Sequence, residues 1–130
     1  MSYDTQGTDR MLDDFIILLV EDEAMLALDL SMSLEDEGAQ VTGPFASVDT
    51  ALPACAARLD AAILDVDLCG GKSFPIADRL SADGVPFVFH TGRSDLDVLR
   101  DRYGDNVPIL VKPARAAEVI HALETILPAA

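Results

Sequence analysis

Four short clusters in the chain hold residues that could do chemistry together: Glu21-Asp22-Glu23, Asp65-Val66-Asp67, Thr91-Gly92 and Lys112-Pro113. Each follows a short apolar run. In a parallel α/β sheet, the residues just beyond the carboxyl ends of the strands line the ligand crevice. If the runs ending at Val20 and Leu64 are neighbours, Glu21, Asp22 and Asp65 converge. Three carboxylates a few ångströms apart repel one another unless a cation lies among them. Oxygen ligands without His or Cys suit a hard divalent ion. A shell left incomplete for water and phosphate oxygens suits Mg²⁺ better than a closed Ca²⁺ cage, and Mn²⁺ could substitute.

Lys112 is one of only two lysines in the sequence. An ammonium opposite a carboxylate cluster can hold a carboxylate or a phosphoryl oxygen, and the Thr91 hydroxyl can donate to the same group. In-line phosphoryl transfer to a carboxylate needs a metal and a cation to spread charge over the equatorial oxygens, plus a donor to orient them. Asp65 is then the nucleophile, and the product is an acyl phosphate.

The elements that must carry these groups follow from the period of the apolar residues. Segments 15–20, 39–45, 61–64, 86–89 and 107–111 are short, apolar and bounded by Gly, Asp or Pro, and they read as strands. Helices are expected over 24–37, with Leu26, Leu30 and Leu34 in register and Gly38 as the stop, and over 75–83, 94–102 and 114–127. A further helix over 47–59 starts at Ser47, and Pro53 should kink it or delay its start. Five strands alternating with five helices indicate an α/β domain. The favoured architecture is flavodoxin-like: a doubly wound five-stranded parallel sheet with strand order 2-1-3-4-5. Residues 1–14 are expected to be a flexible lead-in and 15–130 the folded domain.

The runs ILLVEDE (17–23), ILD (63–65), HTG (90–92) and LVKP (110–113) resemble the receiver domain of bacterial two-component response regulators. Their order is that of the family, with 26 residues from Asp65 to Thr91 and 21 from Thr91 to Lys112. The likeness runs from about Phe15 to Leu127 and implies the CheY-like form of the flavodoxin-like fold. It implies Asp65 as phosphoacceptor, Asp22 as a direct Mg²⁺ ligand, Glu21 acting on the metal through water, and Asp67 giving its backbone carbonyl. Thr91 and Lys112 then contact the acceptor or its phosphoryl group. The expected donor is a sensor histidine kinase or a histidine phosphotransfer protein. The expected output is an unidentified protein met by the face that holds Asp97, Arg100 and Arg115. PFVFHTGRSD resembles a subgroup of short, stand-alone receivers. Cys69 and Ser73 stand where many receivers have Pro and Gly, and Ile109 stands where many have Tyr or Phe, so the usual aromatic rotation coupled to Thr91 has no ring here.

Composition excludes other classes. Nine Lys and Arg face 23 Asp and Glu, and the bases are scattered, so nucleic acid and anionic membrane surfaces are unfavourable partners. The longest strongly apolar run, Phe15–Val20, is far short of the roughly 20 residues of a membrane span. The first 14 residues lack the apolar core of a signal peptide, which points to a cytoplasmic protein with reduced Cys55 and Cys69. A monomer or weak homodimer is expected, acting as a phosphoacceptor that catalyses its own phosphorylation and dephosphorylation rather than as a turnover enzyme. Two alternatives stay open. Asp65-Val66-Asp67 fits the DxD of a haloacid-dehalogenase-like phosphatase, and a degenerate receiver would only dock partners. Glu23 reads as a helix-capping acid, His90 as a residue that abuts the site and either tunes it or packs there, and His121 as a helix-surface residue. Gly70-Gly71-Lys72-Ser73 lacks the upstream glycine of a P-loop.

Overall fold

The computed structural model describes residues 12–92 and 95–128. The elements run β1 (Ile16–Val20), α1 (Ala24–Asp36), β2 (Gln40–Phe45), α2 (Val48–Ala51) with a 3₁₀ turn (Leu52–Ala56), β3 (Ala61–Leu64), β4 (Asp67–Leu68), β5 (Gly71–Lys72), α3 (Phe74–Ala82), β6 (Phe87–Thr91), α4 (Leu96–Tyr103), β7 (Ile109–Val111) and α5 (Ala116–Ile126). β2-β1-β3-β6-β7 form a five-stranded sheet in which every pair is parallel. That is the expected 2-1-3-4-5 order once the small antiparallel hairpin β4–β5 is set aside.

Alternation along the strands divides the core between the two faces of the sheet. Ile17, Leu19, Ala61, Ile63 and Val88 pack with Leu30 and Leu34 of α1 and with Val119 and Leu123 of α5. Leu18, Val20, Leu64, Phe87 and Phe89 pack on the opposite face with Ala51, Cys55, Ile76, Leu80 and Leu99. Each large side chain buried in this way contributes about 1.5–3 kcal/mol. The near-continuous apolar strands are thereby explained, since both faces are covered by helices.

Two glycines do backbone work. Gly38 has φ +90°, and with Gly38 N–H donating to Glu35 O (2.9 Å) and Ala39 N–H to Leu34 O (3.0 Å) it closes α1 in a Schellman turn. Gly43 lies at φ +113° where the β1–β2 register shifts, and a Cβ there would sit 2.7 Å from Leu19 O.

Several local expectations are revised. The helix expected over 47–59 keeps α-form only to Ala51, because Pro53 has no N–H to offer the ladder and the chain tightens into a 3₁₀ turn. Its Ser47 start is real: the Ser47 hydroxyl accepts from Thr50 N–H at 3.3 Å. Thr91 is the last residue of β6 rather than a residue beyond it, and β7 opens at Ile109 rather than Val107. Of the expected lead-in, residues 1–11 lie outside the described residues, as does Ser94 at the expected start of α4. Leu12–Asp14 form a turn, with Leu12 fully buried and its N–H donating to Glu37 O at 3.0 Å. No helix among the described residues is long and apolar enough to cross a membrane.

Candidate functional site

The parallel ladder runs one rung past three of the strands and thereby fixes the site. Glu21 N–H donates to Phe45 O at 2.8 Å, Asp65 N–H to Val20 O at 2.9 Å, and Lys112 N–H to Thr91 O at 2.7 Å. With Val20 opposite Leu64, Glu21 and Asp65 are adjacent, while Thr91 lies opposite Val111 one residue before Lys112. Carboxylate oxygens of Glu21, Asp22 and Asp65 all fall within 4.8 Å of one another. Glu21 and Asp65 are buried, and Asp22 is the more open member.

Lys112 Nζ sits in this acidic pocket 3.0 Å from Asp65 Oδ2, 3.2 Å from the Glu21 carboxylate and 3.0 Å from Glu23 Oε1. Glu23 is the N-cap residue of α1, but its side chain makes no capping bond and goes to Lys112 instead. The Glu23 N–H is taken by Glu21 Oε2 at 3.0 Å. Burial pushes the Glu21 carboxyl up to about 7, opposed by the Glu23 N–H and reinforced by Asp65. Burial and the neighbouring Asp65 also raise Asp22. Burial alone would lower Lys112, but its bonds to Asp65 and Glu23 outweigh that and hold its pKa above the usual lysine range. Four carboxylates around one ammonium leave excess negative charge. The all-oxygen trio, open at Asp22, fits a hard divalent cation such as Mg²⁺ by number, type and spacing of donors.

Thr91 is fully buried, and its hydroxyl has no hydrogen-bond partner among the described residues. His90 is 1% exposed, neither of its ring nitrogens is bonded, and Nδ1 lies 4.0 Å from Glu21 Oε1. Burial, helped by the Lys112 charge, depresses His90 to about 4, so the ring is neutral near pH 7. It is buried beside the Glu21 carboxylate.

Asp67 does not turn its carboxylate to the trio. It pairs with Lys72 across the β4–β5 hairpin, and Lys72 also bonds Asp95 at 3.2 Å. The Lys72 bond holds the Asp67 carboxyl below its ordinary value. Sequence reading weighed Lys72 only within the Gly70–Ser73 run that fails as a P-loop, and nothing in it pointed to Asp95 as a partner. Of the expected output residues, Asp97 lies exposed in the first turn of α4 and Arg115 is exposed at the head of α5. Arg100 is committed to structure, donating to Asp105 O and Val107 O, both at 3.1 Å. In place of a ring at position 109, Tyr103 of α4 packs on Phe89 and Phe87, with centroids 5.3 and 5.7 Å away, and its hydroxyl donates to Asp78 of α3 at 2.8 Å.

No family model and no curated protein matches the sequence. Solved structures do. The chain is 42% identical to SdrG from Sphingomonas melonis Fr1, with a TM-score of 0.69 over 87% of this chain and 97% of that one. It is 28% identical to a response regulator receiver protein from Sinorhizobium medicae WSM419, with a TM-score of 0.77 over 88% of this chain and 94% of that one. With the non-phosphorylated receiver domain of HemR from Leptospira biflexa the identity is 25% and the TM-score 0.75, over 90% and 97% of the two chains. Sheet order, acidic trio and strand-end lysine therefore define a signalling domain of the phosphorelay class. The chain belongs to the receiver domains of response regulators.

Proposed function

We propose that this receiver accepts a phosphoryl group on Asp65 from a phosphohistidine of a sensor histidine kinase or histidine phosphotransfer protein, and passes the signal on through a protein contact. The observation that carries the reading is Lys112 Nζ at 3.0 Å from Asp65 Oδ2, beside three carboxylates within 4.8 Å of one another. An Asp65 oxygen attacks phosphorus in line, and the P–N bond to the donor imidazole breaks. Its electron pair returns to the ring nitrogen, giving an acyl phosphate and a free histidine. Lys112 offsets charge on the acceptor and on the incoming oxygens. The unpartnered Thr91 hydroxyl supplies one donor to a phosphoryl oxygen, and Asp22, Asp65, Glu21 and the Asp67 backbone carbonyl are the groups that would hold Mg²⁺. Mg²⁺, when bound, neutralises developing negative charge on the equatorial oxygens. The chain promotes its own phosphorylation and hydrolysis and is not a turnover enzyme. A phosphatase reading would require Asp67 as general acid, whereas the Lys72 bond keeps it ionised.

The test is intact mass after incubation with acetyl phosphate and Mg²⁺, with and without chelator, on wild type and Asp65→Asn. One phosphoryl adduct that needs both Mg²⁺ and Asp65 is the expected result. An adduct that persists in Asp65→Asn overturns the acceptor assignment. Steady phosphate release from added phosphoesters would favour the phosphatase. No adduct together with no beryllofluoride binding would favour a docking module.

A further inference from the structure

Lys72 stands on β5 opposite Asp67 in a hairpin of two-residue strands. Its Nζ donates to Asp67 and to both oxygens of Asp95, at 3.2 and 3.4 Å. Asp67 is two residues beyond the acceptor Asp65, and Asp95 is four residues beyond Thr91. A single ammonium thus ties the loop after the acceptor strand to the segment leading from Thr91 into α4. Asp95 is nearly buried at the head of α4, and its carboxylate makes no capping bond to the helix backbone. A buried carboxylate depends on its cation, and Lys72 is the cation bonded to it among the described residues. α4 has eight residues, too few to hold helical form without tertiary contacts, so its first turn is sensitive to what Asp95 touches.

Resting on the receiver reading above, we propose that Lys72 is a positioning residue that clamps the β4–β5 hairpin to the head of α4 and yields Asp95 when Asp65 carries a phosphoryl group. The acyl phosphate replaces a carboxylate with a group of higher negative charge, two residues from Asp67, so the new charge competes with Asp95 for the same ammonium. Asp95 then loses its cation, and the first turn of α4 loosens or reorients. An ion pair carries the state of the acceptor to α4 in a chain with Ile109, not an aromatic ring, on β7.

Amide hydrogen exchange over residues 96–103 tests this, with Mg²⁺ and beryllofluoride as the phosphoryl mimic, on wild type, Lys72→Met, Lys72→Arg and Asp95→Asn. Fluorine NMR reports beryllofluoride binding separately. In wild type the mimic should speed exchange at the head of α4 about threefold or more. Lys72→Met and Asp95→Asn should show that faster exchange before the mimic is added and little change after it. Lys72→Arg should restore the wild-type response, which a side chain serving only to fill space would not do. A Lys72→Met protein that binds the mimic and responds like wild type overturns the inference, as does a wild type that binds it with no change in α4. Absence of bound beryllofluoride in wild type would bring down the acceptor reading, and this inference with it.

Discussion

Lys112 reaches Asp65 over an intervening strand. Lys112 follows β7 and Asp65 follows β3, with β6 between them, so their backbones are two strand spacings, or about 10 Å, apart. The gap is closed by the full length of a lysine side chain to a 3.0 Å contact. The same ammonium meets Glu21 and Glu23, and so three elements converge on one charge.

Lys112→Met should leave buried Glu21 and Asp65 without their cation. Unfolding by urea in the presence of chelator should show a loss of about 3 kcal/mol, as when one partner of a buried ion pair is removed. Saturating Mg²⁺ should recover part of it, since a divalent ion can balance the same carboxylates. Phosphorylation by acetyl phosphate should slow without vanishing.

The raised Glu21 pKa gives a signed pH dependence. In the fold it titrates at about 7 against an ordinary 4.5, so the native state holds more protons than the unfolded chain between those values. Its contribution is complete below 4.5 and lost as pH rises through 7. Measured with chelator, the stability of wild type minus that of Glu21→Gln should fall by about 1.4 kcal/mol per pH unit across that window. His90 works in the other direction, its contribution being present above 6.5 and lost as pH falls toward 4. Because its Nδ1 lies 4.0 Å from Glu21 Oε1, the two titrations interact, and making the same comparison in a His90→Gln background removes the His90 contribution from the difference. A flat difference would show Glu21 to be ionised throughout.

Mg²⁺ should stabilise the fold by mass action. At free Mg²⁺ about one hundredfold above Kd, thermal unfolding should show about 2.7 kcal/mol of added stability. Asp22→Asn should weaken binding at least tenfold and remove about 1.4 kcal/mol of that gain at the same Mg²⁺ concentration. An equal gain in both proteins would place the cation elsewhere.

Gly43→Ala should destabilise the domain by about 2 kcal/mol or more, read from urea unfolding. Its φ of +113° disfavours any side chain, and a Cβ 2.7 Å from Leu19 O would force β1 and β2 apart at the register shift.

How much of this was legible in sequence depended on whether the signal was local. Strand order, both helical layers and the convergence of Glu21, Asp22, Asp65 and Lys112 followed from apolar runs ending in charged residues. A parallel ladder fixes what lies one rung beyond each strand end. The β4–β5 hairpin was not legible, because strands of two residues have no period to read. Nor was the bond from Lys72 to Asp95, which spans 23 residues and leaves no spacing rule in either segment. Glu23 looked like a capping acid because its position is that of an N-cap. Only the fold shows a cation within 3.0 Å competing for it. Arg100 was expected only as part of the output face, and its bonds to two backbone carbonyls lie in a loop whose path has no period to read.

Because the sequence has just two lysines, and both Lys72 and Lys112 are spent at the carboxyl end of the sheet, its side-chain amines all mark one pole of the molecule. Apart from the chain's α-amine, a succinimide ester, an acetyl donor or an amine-directed cross-linker can therefore modify this protein only at its signalling end. Coupling it through amines to a sensor surface, or dyeing it at lysine, would blunt the function being measured, whereas Cys69, exposed on the loop between β4 and β5, offers a handle of different chemistry that leaves both ammonium groups intact.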